Sequence, residues 1–205
     1  MDSNLLSLTL DLKNYIPSQA SPYLTKWINE LSIDIRFVNP RKTKLGDYRF
    51  RNNQHFITIN NNLNKYASLI TLTHEIAHAF SFAEFGNTIM PHGSEWKENF
   101  KKLMLNFFDY NIFPDDVLPV LSRYLINPSA STTNDEFLSL ILRKYDSEIF
   151  LTISEINDGD NFTYSGKKYI KCQKIRKRIK CLNLDNNRYY LFNPITQIKK
   201  IDLKI

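Results

Sequence analysis

A chain of 205 residues, 42% hydrophobic and 23% charged, can bury one enzyme-sized core with an appendage but not two full enzymatic domains, and this balance excludes disordered and membrane-embedded classes. No stretch approaches the roughly eighteen apolar residues of a spanning helix, and the N-terminus lacks the basic and small-residue features of a signal peptide, so a cytoplasmic protein is expected. The net charge of +6 is uneven: residues 162–205 hold twelve Lys or Arg against Asp185 and Asp202, a segment net of +10 that leaves −4 for the rest.

In chain order, Pro22 to Leu31 reads as a short helix with Tyr23, Leu24, Trp27 and Ile28 on one face and Ser21 as its cap. Ile33 to Val38 alternates like a strand and ends at Asn39-Pro40. Lys44-Leu45-Gly46-Asp47 is a turn signal, followed by strands at Tyr48 to Arg51 and His55 to Ile59, and Asn60-Asn61-Asn62 breaks the last of these. From Leu63 to Glu84, Ala67, Ile70, Leu72, Ile76, Ala77, Phe80 and Ala83 fit a long, largely buried helix that Gly86-Asn87 stops. Ser94 is expected to cap a helix running to about Tyr110, and Pro114 to Tyr124 and Asp135 to Tyr145 read as two more, joined by a polar loop from Pro128 to Thr133. After Ser147 come short strands with turns at Asp158-Gly159-Asp160, Ser165-Gly166 and Asp185-Asn186-Asn187. The expected organisation is α+β over residues 1–148, then a basic all-β module over 149–205.

The chemistry lies on the long helix. His74-Glu75-Ile76-Ala77-His78 puts two imidazoles at i and i+4, on one face, able to share one metal, with a carboxylate beside them to take a proton from an activated water. With four His and eight Glu in the chain, chance gives this pattern roughly 0.003 times, so it is informative. The neighbouring Ala77 and Ala79 are small enough to let other elements approach closely. A catalytic zinc takes three protein ligands and keeps one position open. The extended H-E-x-x-H-x-x-G-x-x-H pattern is absent, because Ser81 and Glu84 stand at its glycine and final histidine. His92, in Pro91-His92-Gly93, and Glu98 remain as third-ligand candidates, and His92 is favoured because Gly93 permits a tight turn back over the helix. His55, on a strand, reads as packed or exposed rather than as a ligand.

Gly46, the strand ending at Ile59-Asn60, the His74 to His78 motif, and His92-Gly93 with Trp96 and Phe100 together resemble the SprT-like zinc metallopeptidase family, the relatives of Spartan, over roughly residues 20 to 110. The resemblance implies a zincin-like metallopeptidase domain with one catalytic Zn2+ on His74, His78 and His92, Glu75 as general base, and proteolysis of proteins crosslinked to DNA. Family members often end in a four-cysteine zinc ribbon. Here only Cys172 and Cys181 stand in that region, so the module reads as a degenerate ribbon or small barrel, with the two thiols as packed residues rather than ligands.

The tail's charge points to a polyanion, and Lys174, Arg176, Lys177, Arg178 and Lys180 are the expected nucleic-acid contacts, several of them on one sheet face where apolar and basic residues alternate, with Tyr189, Tyr190 and Phe192 available to stack on bases or to fill the module's core. The functional expectation is a zinc endopeptidase acting on proteins bound or crosslinked to single- or double-stranded DNA, nucleoid-associated if bacterial. The alternative is a non-catalytic zinc-containing nucleic-acid-binding or regulatory protein, against which Glu75 argues. Tyr48, Arg49 and Tyr110 are candidate oxyanion donors, and His55 to Ile59 is a candidate edge for pairing an extended substrate.

Overall fold

The computed structural model describes residues 12–41, 43–108, 111–132 and 135–201. The chain divides into two compact units, Met1–Ser147 and Glu148–Ile205. The architecture is mixed α+β, with a separate β-sheet forming the second unit. Among the described residues, no helix is long and apolar enough to cross a membrane.

In the first unit, three strands, β1 (Asp34–Val38), β2 (Gly46–Arg51) and β3 (Gln54–Asn60), form a sheet in the order β1-β3-β2. β3 runs parallel to β1 and antiparallel to β2, with Ile57 opposite both Ile35 and Tyr48. Strand alternation sends His55, Ile57 and Ile59 inward, and Phe56 and Thr58 to the other face with Asp47, Arg49 and Arg51. Helix α1 (Ser21–Glu30) buries Leu24, Trp27 and Ile28, as its spacing predicts. Ser21 does not cap it: a 3-10 turn over Ser18–Ala20 precedes the helix, and the Ser21 hydroxyl has no partner.

Helix α2 (Lys65–Phe85) is apolar nearly all round, and a helix of that kind is buried rather than laid on a surface. Leu69, Ile70, Leu72, Ile76, Ala77 and Ala79 all lie in the core with Ile57 and Ile59. Its start is set by Asn64, whose Oδ1 accepts from the N–H groups of Tyr66 (3.1 Å) and Ala67 (3.0 Å), and Gly86 stops it at φ 62°. Helix α3 (Ser94–Leu105) packs on α2 through buried Trp96, Phe100, Leu103 and Met104. Gly93, not Ser94, is its N-cap residue; the Ser94 hydroxyl turns to Glu95 Oε2 at 3.0 Å. Helices α4 (Leu118–Ile126) and α5 (Glu136–Arg143) complete the unit, α4 starting four residues later than Pro114 suggests. The Pro114 carbonyl instead accepts from Val117 and Leu118 in a turn ahead of that helix.

The second unit is a five-stranded antiparallel sheet in the order β7-β6-β5-β4-β8, from β4 (Asn161–Tyr164), β5 (Lys167–Ile175), β6 (Arg178–Asn183), β7 (Tyr189–Phe192) and β8 (Lys199–Ile201). Ile153, Ile156, Phe162, Tyr169, Ile179, Cys181, Phe192 and Ile198 form its core. Ser165 (φ 48°) and Gly166 (φ 75°) make the expected two-residue turn between β4 and β5.

Candidate metal centre

On α2, His74 and His78 face the same way, and His92 reaches them from the turn before α3. His92 Nε2 lies 3.1 Å from His74 Nε2 and 3.0 Å from His78 Nε2. Nitrogens about 2.0 to 2.1 Å from a tetrahedral ion stand about 3.3 to 3.4 Å apart, so this spacing fits a shared metal. The three histidines are the group able to hold an ion among the described residues. Glu98 is exposed on α3 and outside that group, and Cys172 and Cys181 are free thiols of which Cys181 is packed in the core of the second sheet.

The turn that delivers His92 explains its sequence. Gly93 N–H donates to Met90 O at 2.9 Å, with Pro91 and His92 as the two central residues and His92 at φ 61°. Proline first and a positive φ second is the pattern of a type II turn, whose second position favours glycine; a histidine there carries strain of order 1 to 3 kcal/mol that the surrounding packing must hold. A Cβ on Gly93 would stand 2.9 Å from Met90 O, so the turn also requires that glycine.

Beneath the imidazoles lies an aromatic floor. Trp96 is fully buried, its ring 4.5 Å from that of His74 and 5.3 Å from that of His78, and it stacks on Phe100 at 5.1 Å. From the other side Tyr48 lies nearly parallel to His78 (10°, 6.1 Å), and its hydroxyl is 2.9 Å from His55 Nδ1. This apolar casing holds the imidazoles neutral, the form that binds metal: burial, with the neighbouring imidazoles, pushes His74 down to about 2 and His78 to about 3.

Glu75 is buried beside His74, and burial, with Asp47 nearby, pushes its carboxyl up to about 8 against the opposing pull of Arg41, Lys44 and the Tyr48 N–H. That N–H is available because β2 is an edge strand: Leu45 O accepts from Asn60 N at 2.8 Å, and antiparallel alternation then turns the N–H of Tyr48 away from β3. The loop into β2 is fixed by Arg41, which donates to Asn60 Oδ1 (2.9 Å) and Thr58 Oγ1 (2.9 Å), and by Asn60 Nδ2, which donates to Arg41 O (3.2 Å) and Lys44 O (3.0 Å). Sequence reasoning took Asn60 as a strand breaker and as part of the family resemblance, without this structural role.

A cleft of about 360 Å³ opens over the histidines, bordered by Gly46 to Tyr48, Glu75, Pro91 and Ala130. The strand bordering it is therefore β2. The expected substrate edge, His55 to Ile59, is the central strand, paired on both sides, and offers no free edge. Arg49 points to the opposite face of the sheet, Tyr48 lines the cleft, and Tyr110 lies outside the described residues.

In the second unit Arg176 and Lys177 form the two-residue turn between β5 and β6, with Lys174 and Arg178 on the flanking strands. A bulge between Lys171 and Lys174 breaks the alternation, so the expected single cationic face is split: Lys174 pairs with buried Ile179, whereas Arg178 and Lys180 project from the other face. Lys180 Nζ lies 3.8 Å over the Tyr189 ring, Tyr189 is exposed, and Phe192 belongs to the core.

Among protein families, the SprT-like family matches residues 18–114, a span that includes His74, Glu75, His78 and His92. No curated protein and no solved structure matches the chain.

Proposed function

We propose that this chain, SprT-like over residues 18–114, is a zinc-dependent endopeptidase of zincin-like architecture that acts on proteins bound or crosslinked to DNA. The observation that carries this reading is the meeting of three neutral imidazole nitrogens at one point beside a buried carboxylate packed against Gly46. Three nitrogen ligands with an open side is the donor set of a hydrolytic zinc, whereas a structural zinc is closed by four protein ligands.

His74, His78 and His92 hold the ion, which when bound supplies Lewis-acid polarisation of a carbonyl and lowers the pKa of water. Glu75, packed against Gly46, takes the proton of the attacking water and returns it to the leaving amine. Edge strand β2 offers its remaining outward backbone groups to an extended substrate lying in the cleft. Tyr48, the described oxyanion candidate that lines the cleft, keeps its hydroxyl oriented by His55. The basic second unit, with Lys174, Arg176, Lys177, Arg178 and Lys180 around one hairpin, supplies the DNA contact.

The test is metal analysis joined to a protease assay on a DNA-bound protein, with and without DNA. One equivalent of zinc and a cleavage that chelator and Glu75→Gln both abolish are expected. A fully zinc-loaded, folded protein that cleaves nothing in the presence of DNA would leave the non-catalytic reading standing.

A further inference from the structure

Beside the cleft lies a second recess, of about 140 Å³. It shares Gly46, His74, Glu75 and Ala130 with the cleft and continues past Glu75 to Lys44, Thr71 and Thr132. Along α2 it sits one turn before His74, and along β2 it sits at the strand's first residue, away from Tyr48. An extended chain seated on β2 with its reacting carbonyl at the histidines thus passes one of its neighbouring side chains over this recess.

The walls define what fits. A cavity near 150 Å³ holds a benzene-sized group, so about 140 Å³ takes a medium side chain and excludes an indole. Thr71 turns its hydroxyl back to Ala67 O (2.8 Å), leaving its methyl toward Gly46, and Leu45 and Ala130 are apolar, so part of the lining is greasy. Of the polar lining residues, Lys44 donates from Nζ to Asp47 Oδ1 at 2.6 Å. An ammonium carries three N–H groups, so Lys44 has donors beyond that one, and the hydroxyl of Thr132 adds a group that both donates and accepts. With Glu75 ionised, as its role as base requires, the charges lining the recess are one of each sign, Lys44 and Glu75. A second carboxylate would be repelled by Glu75 and an ammonium by Lys44, whereas a carboxamide opposes neither: its oxygen accepts from Lys44 while its NH2 turns to hydroxyl oxygen.

We propose that this recess is a side-chain subsite of the cleft, selective for a carboxamide, Asn or Gln, flanking the bond to be cleaved. This rests on the peptidase reading above, and two independent readouts separate the two. The first is kcat/KM of the zinc-loaded protein on peptides varied at each position around the cleaved bond among Asn, Gln, Asp, Lys, Leu and Trp. The second is binding of fluorescent ketomethylene analogues of the same peptides, which cannot be cleaved, to the zinc-loaded wild-type protein by anisotropy, a readout that needs no turnover and keeps the Glu75 carboxylate in the recess. At one flanking position Asn or Gln should exceed Asp, Lys and Trp by about tenfold or more in binding, since a hydrogen bond to a charged group is worth that much. Lys44→Met should erase the advantage of Asn over Leu with zinc content unchanged, and Thr132→Val should reduce it if Lys44→Met does not fold. Cleavage with no such preference, or a preference that survives in Lys44→Met, overturns the subsite and leaves the peptidase reading intact. A binding preference without cleavage upholds the subsite and removes the peptidase reading.

Discussion

The Cβ that Gly46 lacks would stand 2.5 Å from Glu75 Oε1 and 2.8 Å from Glu75 Cγ. Real Cβ atoms do not come so close, so the first residue of β2 is the notch into which the glutamate side chain fits. Two residues on, the N–H of Tyr48, turned away from β3, lies on the side of the same carboxylate and favours its ionised form. The edge strand therefore fixes the position of Glu75 independently of the metal.

Gly46→Ala should accordingly damage turnover more than metal binding. Displacing a catalytic group by about 1 Å costs on the order of a hundredfold in rate, and the overpacking costs about 1 to 3 kcal/mol of stability. Zinc content and the circular dichroism spectrum should remain those of wild type while kcat falls. Activity within a factor of two of wild type would show that Glu75 does not need the notch.

Metal and base should separate on substitution. His74→Ala, His78→Ala and His92→Ala each remove one of three nitrogens and should lower zinc content, read by metal analysis after gel filtration. Glu75→Gln keeps the shape and cannot accept a proton, so it should hold zinc at full stoichiometry and lose turnover. A His92→Ala protein with stoichiometric zinc would remove His92 from the ligand set.

The helix that carries the motif should depend on Asn64. Its Oδ1 caps two N–H groups, and its Nδ2 donates to Leu142 O (2.9 Å) and Asp146 Oδ1 (2.6 Å), which ties the start of α2 to the end of α5. Asn64→Ala should cost about 1 to 2 kcal/mol, from the lost cap together with the lost donations to Asp146 and to Leu142 O, which keeps the N–H of Tyr145. A melting temperature equal to wild type would contradict the assignment. Asn64→Ser, which retains a capping oxygen, should recover only part of the loss.

These residues show how far the sequence reaches. Apolar periodicity located α2 because that helix is buried all round, and the i, i+4 pair with His92 marked the metal group because histidines are scarce in this chain. Local signals failed where tertiary contacts decide. Asn64 was hidden in a run of asparagines, so the cap could not be told from the turn before it. Strand order is also invisible to alternation: β3 has the stronger β pattern, yet β2 is the strand at the cleft, because the parallel pairing with β1 makes β3 central. The split of the cations in the second unit follows from a bulge that no glycine marks.

The two thiols should differ sharply. Cys181 is fully buried and burial pushes its thiol up to about 11, whereas Cys172 on the adjacent strand is partly exposed. An aromatic disulfide reagent at pH 8 should titrate one thiol in the folded protein and two in denaturant. Because the folded protein holds the Cys181 proton more tightly than the unfolded chain, this group's contribution to stability is present below about pH 9 and is lost as pH rises toward 11. Cys181→Ala should flatten that part of the pH profile; an unchanged slope would assign it to other groups.

The last prediction concerns where a polyanion meets the second unit. If it lay across a flat cationic face, Lys180 and exposed Tyr189, in contact at 3.8 Å, would be central, and Tyr189→Ala would cost about 1 to 3 kcal/mol per stacked base. The bulge has instead divided the cations between two faces, and they come together again only at the β5–β6 turn, where Arg176 and Lys177 project with Arg178 beside them. DNA affinity should therefore be lost mainly at the turn. Replacing Arg176, Lys177 and Arg178 with Gln should lower the slope of log K against log salt by about 2 to 3, since each phosphate contact contributes about 0.7 to 0.9. Lys180→Gln or Tyr189→Ala should change it by less than one contact's worth. The substituted residues are exposed and outside the second unit's core, so folding, followed by near-ultraviolet circular dichroism, should be unaffected. If the triple variant kept the wild-type affinity and salt slope on both single- and double-stranded DNA, the hairpin would not be the DNA contact, and the charge of the tail would act only in solubility.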